Sequence, residues 1–90
     1  MPFPQVDVEL NVLADFDPQL PARVLGRFTV VNDLPPRFEL TRIGEDRLRL
    51  SLAFMSEPEQ ARRLALRLEA MPSVREVDLS FYTRRAASGR

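Results

Sequence analysis

The residues of this chain that could carry chemistry are carboxylates, hydroxyls, arginines and one tyrosine, Tyr82. Asp15 and Asp17, and separately Glu45 and Asp46, could offer oxygens to a hard cation. Calcium takes about 6–8 oxygen ligands, however, and aspartate and glycine in such stretches are ordinary turn chemistry. Both groups therefore read as turns. Carboxylates on strand surfaces could suggest glycosidase chemistry, but that reaction needs a pair flanking a cleft. The 90 residues include no cysteine, histidine or tryptophan, and their 13 cationic side chains, all arginine, balance 13 carboxylates to a net charge of zero. Zinc sites of the usual kinds, disulfides, and thiol or imidazole catalysis are excluded. Without lysine there is no Schiff base and no P-loop. Nothing assembles a nucleophile, a base and an oxyanion site. The expectation is a non-enzyme with no metal and no cofactor, and a zero net charge gives no overall field toward nucleic acid or an anionic membrane.

The elements that position these groups follow from hydropathy period. Gln5 to Leu13 alternates, with Val6, Val8, Leu10 and Val12 on one face, which predicts a half-buried strand. Asp15-Phe16-Asp17-Pro18 ends it. From Pro21 to about Val31 the spacing of Val24, Leu25, Phe28 and Val31 is helical. Either Pro18 or Pro21 suits the first turn: Asp17 is the N-cap in the first case, and the helix starts about a turn later in the second. Asn32 suits the left-handed conformation after a last turn, and Pro35-Pro36 forbids continuation. A strand over Arg37 to Ile43, a connection at Gly44-Glu45-Asp46 and a strand carrying Leu48, Leu50, Leu52 and Phe54 make a hairpin. Ser56 and Glu59 have capping-box spacing, with Pro58 in the first turn. Ala61, Leu64, Ala65, Leu68 and Met71 make the buried stripe of this second helix. A last strand runs from Val74 to Tyr82, with Val77, Leu79 and Phe81 inward.

The order strand–helix–strand–strand–helix–strand with right-handed crossovers predicts an α+β, ferredoxin-like βαββαβ sandwich. Its antiparallel sheet has four strands in the order 4-1-3-2, with both helices on one face. Residues 1–4 read as an N-terminal extension, 5–82 as one domain and 83–90 as a basic tail. No stretch approaches the about 20 apolar residues of a membrane span, and Met1-Pro2-Phe3-Pro4 lacks the features of a signal peptide. The expected location is cytoplasmic. On the open sheet face, Asp7 and Glu9 are expected across from Arg47 and Arg49, and Ser51, Ala53 and Met55 could instead form a small-residue patch for a partner. RNA-binding folds of this class stack bases on outward aromatics. The corresponding positions here carry Asp7, Glu9, Arg49 and Ser51, so RNA recognition is not expected.

The stretch from Leu10 to Leu79 resembles an ACT domain, the small regulatory module of amino-acid metabolic enzymes. Within that group it is similar to the short, single-domain regulatory subunit of acetolactate synthase. The resemblance rests on the alternating strand entering Phe16-Asp17-Pro18, on Arg23-Val24-Leu25-Gly26-Arg27-Phe28, on the Leu-rich third strand, on the Ala/Leu helix and on Met71-Pro72-Ser73-Val74-Arg75-Glu76-Val77. It implies a non-catalytic regulatory domain that forms a homodimer, with a large catalytic subunit or other metabolic enzyme as partner and a small amino acid as effector. The family mode joins two sheets side by side through the edge strand Arg37 to Ile43. The effector positions it implies are Asp17, Pro18, Gln19, Leu20, Asn32, Leu34 and Pro35, near a helix start whose N–H groups can receive a carboxylate. Gln19 stands where many members have glycine, and Pro18, Pro21, Pro35 and Pro36 remove four potential N–H donors. The implied pocket is degenerate or shaped for another ligand. The alternative is a ligand-free adaptor or dimerisation module for a protein partner.

Overall fold

Alternating apolar residues produce a first strand, β1 (Val6–Asp15), whose Val8, Leu10, Val12 and Ala14 are buried while the intervening side chains remain half-exposed. The computed structural model describes residues 4–82. The expected extension, Pro4 apart, and the expected tail lie outside them. The elements continue as α1 (Leu20–Val31), β2 (Arg37–Ile43), β3 (Arg47–Ser56), α2 (Pro58–Glu69) and β4 (Val74–Tyr82). All strand pairs are antiparallel, in the order β2-β3-β1-β4, which is the expected 4-1-3-2 read from the other edge. This is the βαββαβ ferredoxin-like fold.

The two helices close one face of the sheet. Leu20, Val24 and Phe28 of α1 and Ala61, Leu64, Ala65 and Leu68 of α2 meet Leu48, Leu50, Leu52 and Phe54 of β3 and the apolar face of β1. Phe28 and Phe54 pack edge to face with ring centroids 4.7 Å apart, a preferred aromatic geometry. Helix α1 begins at Leu20, with Gln19 as N-cap and Pro21 in the first turn, so the later of the two expected starts is the real one. Asn32 departs from expectation. It is extended at φ −129° rather than left-handed, because its side-chain amide and its backbone N–H both reach back to the Phe28 carbonyl. The Phe28 carbonyl thereby receives two donors from Asn32 without a positive φ.

The capping box at α2 is also corrected. Glu57 is the N-cap and Pro58 the first helical residue, while Ser56 is the buried last residue of β3 and donates to the Glu57 carbonyl instead. The β2–β3 hairpin turns through Gly44-Glu45-Asp46, and Gly44 takes φ +65°. Glycine adopts that conformation without the penalty a Cβ brings.

Candidate functional site

The first half of the expected effector site is built where β1 runs into α1. Asp17 organises it: one carboxylate oxygen accepts from the Gln19 N–H at 3.0 Å and the other from the Ser73 hydroxyl at 2.9 Å. Asp15 N–H donates to the Ser73 carbonyl at 2.8 Å, so the β1–α1 and α2–β4 connections are tied together at two points. These hydrogen bonds, first that of Gln19 and then that of Ser73, with help from the charge of Arg23, hold the Asp17 carboxyl below its usual range. Gln19 accepts a hydrogen bond from the Arg23 guanidinium at 3.1 Å. Leu20 is 1% exposed and its side chain belongs to the core. Pro18 is exposed.

The second half lies at the other end of α1. Asn32 caps the helix, the Leu34 N–H is bonded to the Asp33 carboxylate, the Leu34 side chain is 68% exposed and Pro35 is half-buried. A 12-residue helix is about 18 Å long, so one copy of the chain does not bring Asp17–Leu20 together with Asn32–Pro35. Surface depressions on the helix face and the sheet face are lined by other residues.

Near this second half the sheet margin is incomplete. Phe38 and Leu40 of β2 pair with Leu52 and Leu50, so they share the helix-facing side. Helix α2 covers β4 and β1, and Leu40, on the helix-facing side of β2, remains 49% exposed. Leu25, on the flank of α1 opposite Arg23 and Val30, is half-buried. β2 itself pairs only with β3, leaving its outer edge open among the described residues.

The opposite sheet face is polar and largely paired. The expected register of Asp7 and Glu9 with Arg47 and Arg49 is overturned: antiparallel pairing sets Asp7 against Met55, Glu9 against Ala53 and Arg47 against Asp15. Glu9 instead pairs with Arg37 at 3.0 Å across β3, over the small Ala53 side chain, and accepts from the Tyr82 hydroxyl at 3.3 Å. The Ser51 hydroxyl donates to Asn11 at 2.6 Å. Asp15 receives both Arg47 and Arg75, at 3.6 and 2.6 Å. The small-residue patch at Ser51 and Ala53 is thus spanned by polar pairs. Phe28 and Phe54 are buried, and Phe16 lies in a turn beneath the Arg42 guanidinium at 4.3 Å.

Among the described residues no three carboxylates gather to hold a metal ion, and no helix is long and apolar enough to cross a membrane. Sequence reasoning missed a second feature, a groove between the helices lined by Arg23, Arg27 and Arg67. Its signal was present as arginines one turn apart on α1, off the apolar stripe.

No protein-family model matches the chain, and no curated protein matches it. Solved structures do. The crystal structure of the ACT domain from GTP pyrophosphokinase of Chlorobium tepidum aligns with a TM-score of 0.72 at 10% identity, over 86% of this chain and 100% of that one. The C-terminal domain of the MgtC protein from Mycobacterium tuberculosis aligns at 0.68 and 17% identity, over 90% and 93%. An uncharacterized protein from Thermotoga maritima aligns at 0.72 and 11% identity, over 87% and 98%. The chain therefore has an ACT-like ferredoxin fold.

Proposed function

We propose that this chain is a non-catalytic, ACT-type regulatory module that works as a two-fold homodimer and takes a small amino-acid effector between its copies. The observation that carries the proposal is the uncovered margin of β2. Joining two β2 edges across a two-fold axis continues the sheet to eight strands and covers Leu40 and Leu25 of both copies. An open strand edge flanked by exposed apolar side chains favours such pairing. The same axis sets the two α1 helices antiparallel, so the Asp17–Gln19 end of one copy lies beside the Asn32–Pro35 end of the other. The site divided in one copy is completed by two. The enzyme it would regulate belongs to amino-acid metabolism, with acetolactate synthase as the specific candidate from the sequence resemblance.

A second reading, a dimerisation adaptor without effector, is favoured by one observation. Both carboxylate oxygens of Asp17 already accept from Gln19 and Ser73, and the Asn32 amide nitrogen already donates to Phe28. A thermal-shift screen with valine, leucine, isoleucine and the other amino acids at millimolar concentration separates the two. A ligand present at about 100 times its Kd stabilises by about 2.7 kcal/mol. The effector reading predicts such a shift for the wild type and its loss in Leu40→Arg; no shift with any amino acid leaves the adaptor.

A further inference from the structure

On α1, Arg23, Gly26, Arg27 and Val30 follow the spacing i, i+3, i+4, i+7, which places them on one flank. That flank faces the C-terminal half of α2, and together with Arg67, Ala70, Met71 and Pro72 it lines an open groove of about 530 Å³. The volume lies in the range of small-molecule sites, about 300–1,000 Å³. Three guanidinium groups line it and no carboxylate does. Arg27 and Arg67 make no ion pair among the described residues, although the chain as a whole balances 13 cations with 13 carboxylates. Arg23 has a neutral partner, Gln19, and the carboxylate whose charge it feels, Asp17, is engaged by Gln19 and Ser73.

Two further residues keep the groove open at some cost. Gly26 sits in the helix interior, where glycine is a poor helix former, yet a Cβ there would meet nothing within 4 Å. Core packing does not require glycine at this position, and it leaves that part of the groove lining without a side chain. Val30 stands 70% exposed on the same flank, beside Met71 and Pro72, and forms an apolar wall next to the cations. Arginine forks suit phosphate oxygens, each taking two parallel hydrogen bonds. A single carboxylate occupies one such fork, whereas three forks match an anion with at least two phosphoryl groups.

We propose that the groove between α1 and α2 binds a small molecule carrying a pyrophosphoryl group, held by Arg23, Arg27 and Arg67, with the Val30–Met71–Pro72 wall beside it. The site lies on the opposite flank of α1 from the β2 margin, so it is independent of dimer formation. Isothermal titration calorimetry with pyrophosphate, ADP, AMP and orthophosphate tests it directly. Pyrophosphate and ADP should bind, AMP and orthophosphate at least about tenfold more weakly, and affinity should fall as salt rises. Equal binding of pyrophosphate and ADP assigns recognition to the phosphate chain alone; tighter binding of ADP than of pyrophosphate assigns the apolar wall to the base, and binding of ADP without pyrophosphate overturns the proposal. Arg27→Gln with Arg67→Gln should weaken binding by about tenfold or more while the melting temperature stays unchanged. Gly26→Gln should raise the melting temperature and still weaken binding, which separates groove filling from misfolding. Absence of binding by every probe, equal binding of orthophosphate and pyrophosphate, or unchanged affinity in the Arg27/Arg67 variant would overturn the proposal.

Discussion

At the scale of single residues, Asp17 shows how a side chain marked as a ligand contact can be occupied by the fold. Its turn position was readable from Phe16-Asp17-Pro18. Its bond to Ser73, 56 residues away, was not, because that contact exists only once β1 and β4 are neighbours. Since the folded carboxyl is held below its ordinary value, ionised Asp17 stabilises the fold above that ordinary value. The contribution is lost as pH falls through the lowered folded value. Thermal melts from about pH 6 to about pH 2 should therefore show a shallower acid loss in Asp17→Asn than in the wild type. Identical acid profiles would show that the Ser73 and Gln19 bonds carry no net stabilisation. Phe28 illustrates the legible side of the sequence: its helical spacing with Val24 predicted burial, and it is 1% exposed. Phe28→Ala should cost about 3–5 kcal/mol in chemical denaturation, the range for a deleted core aromatic.

At the scale of elements, period decided nearly everything about type and little about ends. The apolar alternation of β1 and β3 and the stripe of α2 were explicit, because each faces one continuous core. The ends were set by local competition that spacing does not record. Ser56 was drawn into the last buried position of β3 rather than capping α2, and the Asn32 amide reached Phe28 rather than letting the backbone turn left-handed. Cross-strand register was misread for the same reason. Antiparallel pairing from the Gly44 hairpin brings Arg47 to the far end of β1, opposite Asp15, and not to Glu9. Helix α1 carries the clearest local conflict, a glycine in its middle with empty space at its missing Cβ. Gly26→Ala should stabilise the protein by about 0.5–1 kcal/mol on helix propensity alone, read as a rise in the denaturation midpoint. A loss of stability would contradict the reading that helix propensity alone is at stake there.

At the scale of the whole molecule, the order of elements predicted the ferredoxin-like sandwich, and the sheet order agrees; the ACT likeness came from resemblance in stretches such as Phe16-Asp17-Pro18 and Arg23–Phe28. The candidate site was less legible. Seven residues could be named from resemblance, but their division between the two ends of α1 is a property of helix length and topology. The residues proposed to join two copies, Leu25 and Leu40, read in sequence as ordinary core. Leu40 lies on the helix-facing side of β2 and is nevertheless half-exposed. Self-association therefore stands at the centre of the proposed function, and sedimentation equilibrium of the purified chain tests it most directly. The account predicts a mass of about twice the 10.3 kDa chain at micromolar concentration, falling to one chain in Leu40→Arg while that variant keeps a cooperative melt. A wild-type chain that sediments as a monomer, or a Leu40→Arg variant that remains a dimer, would contradict it.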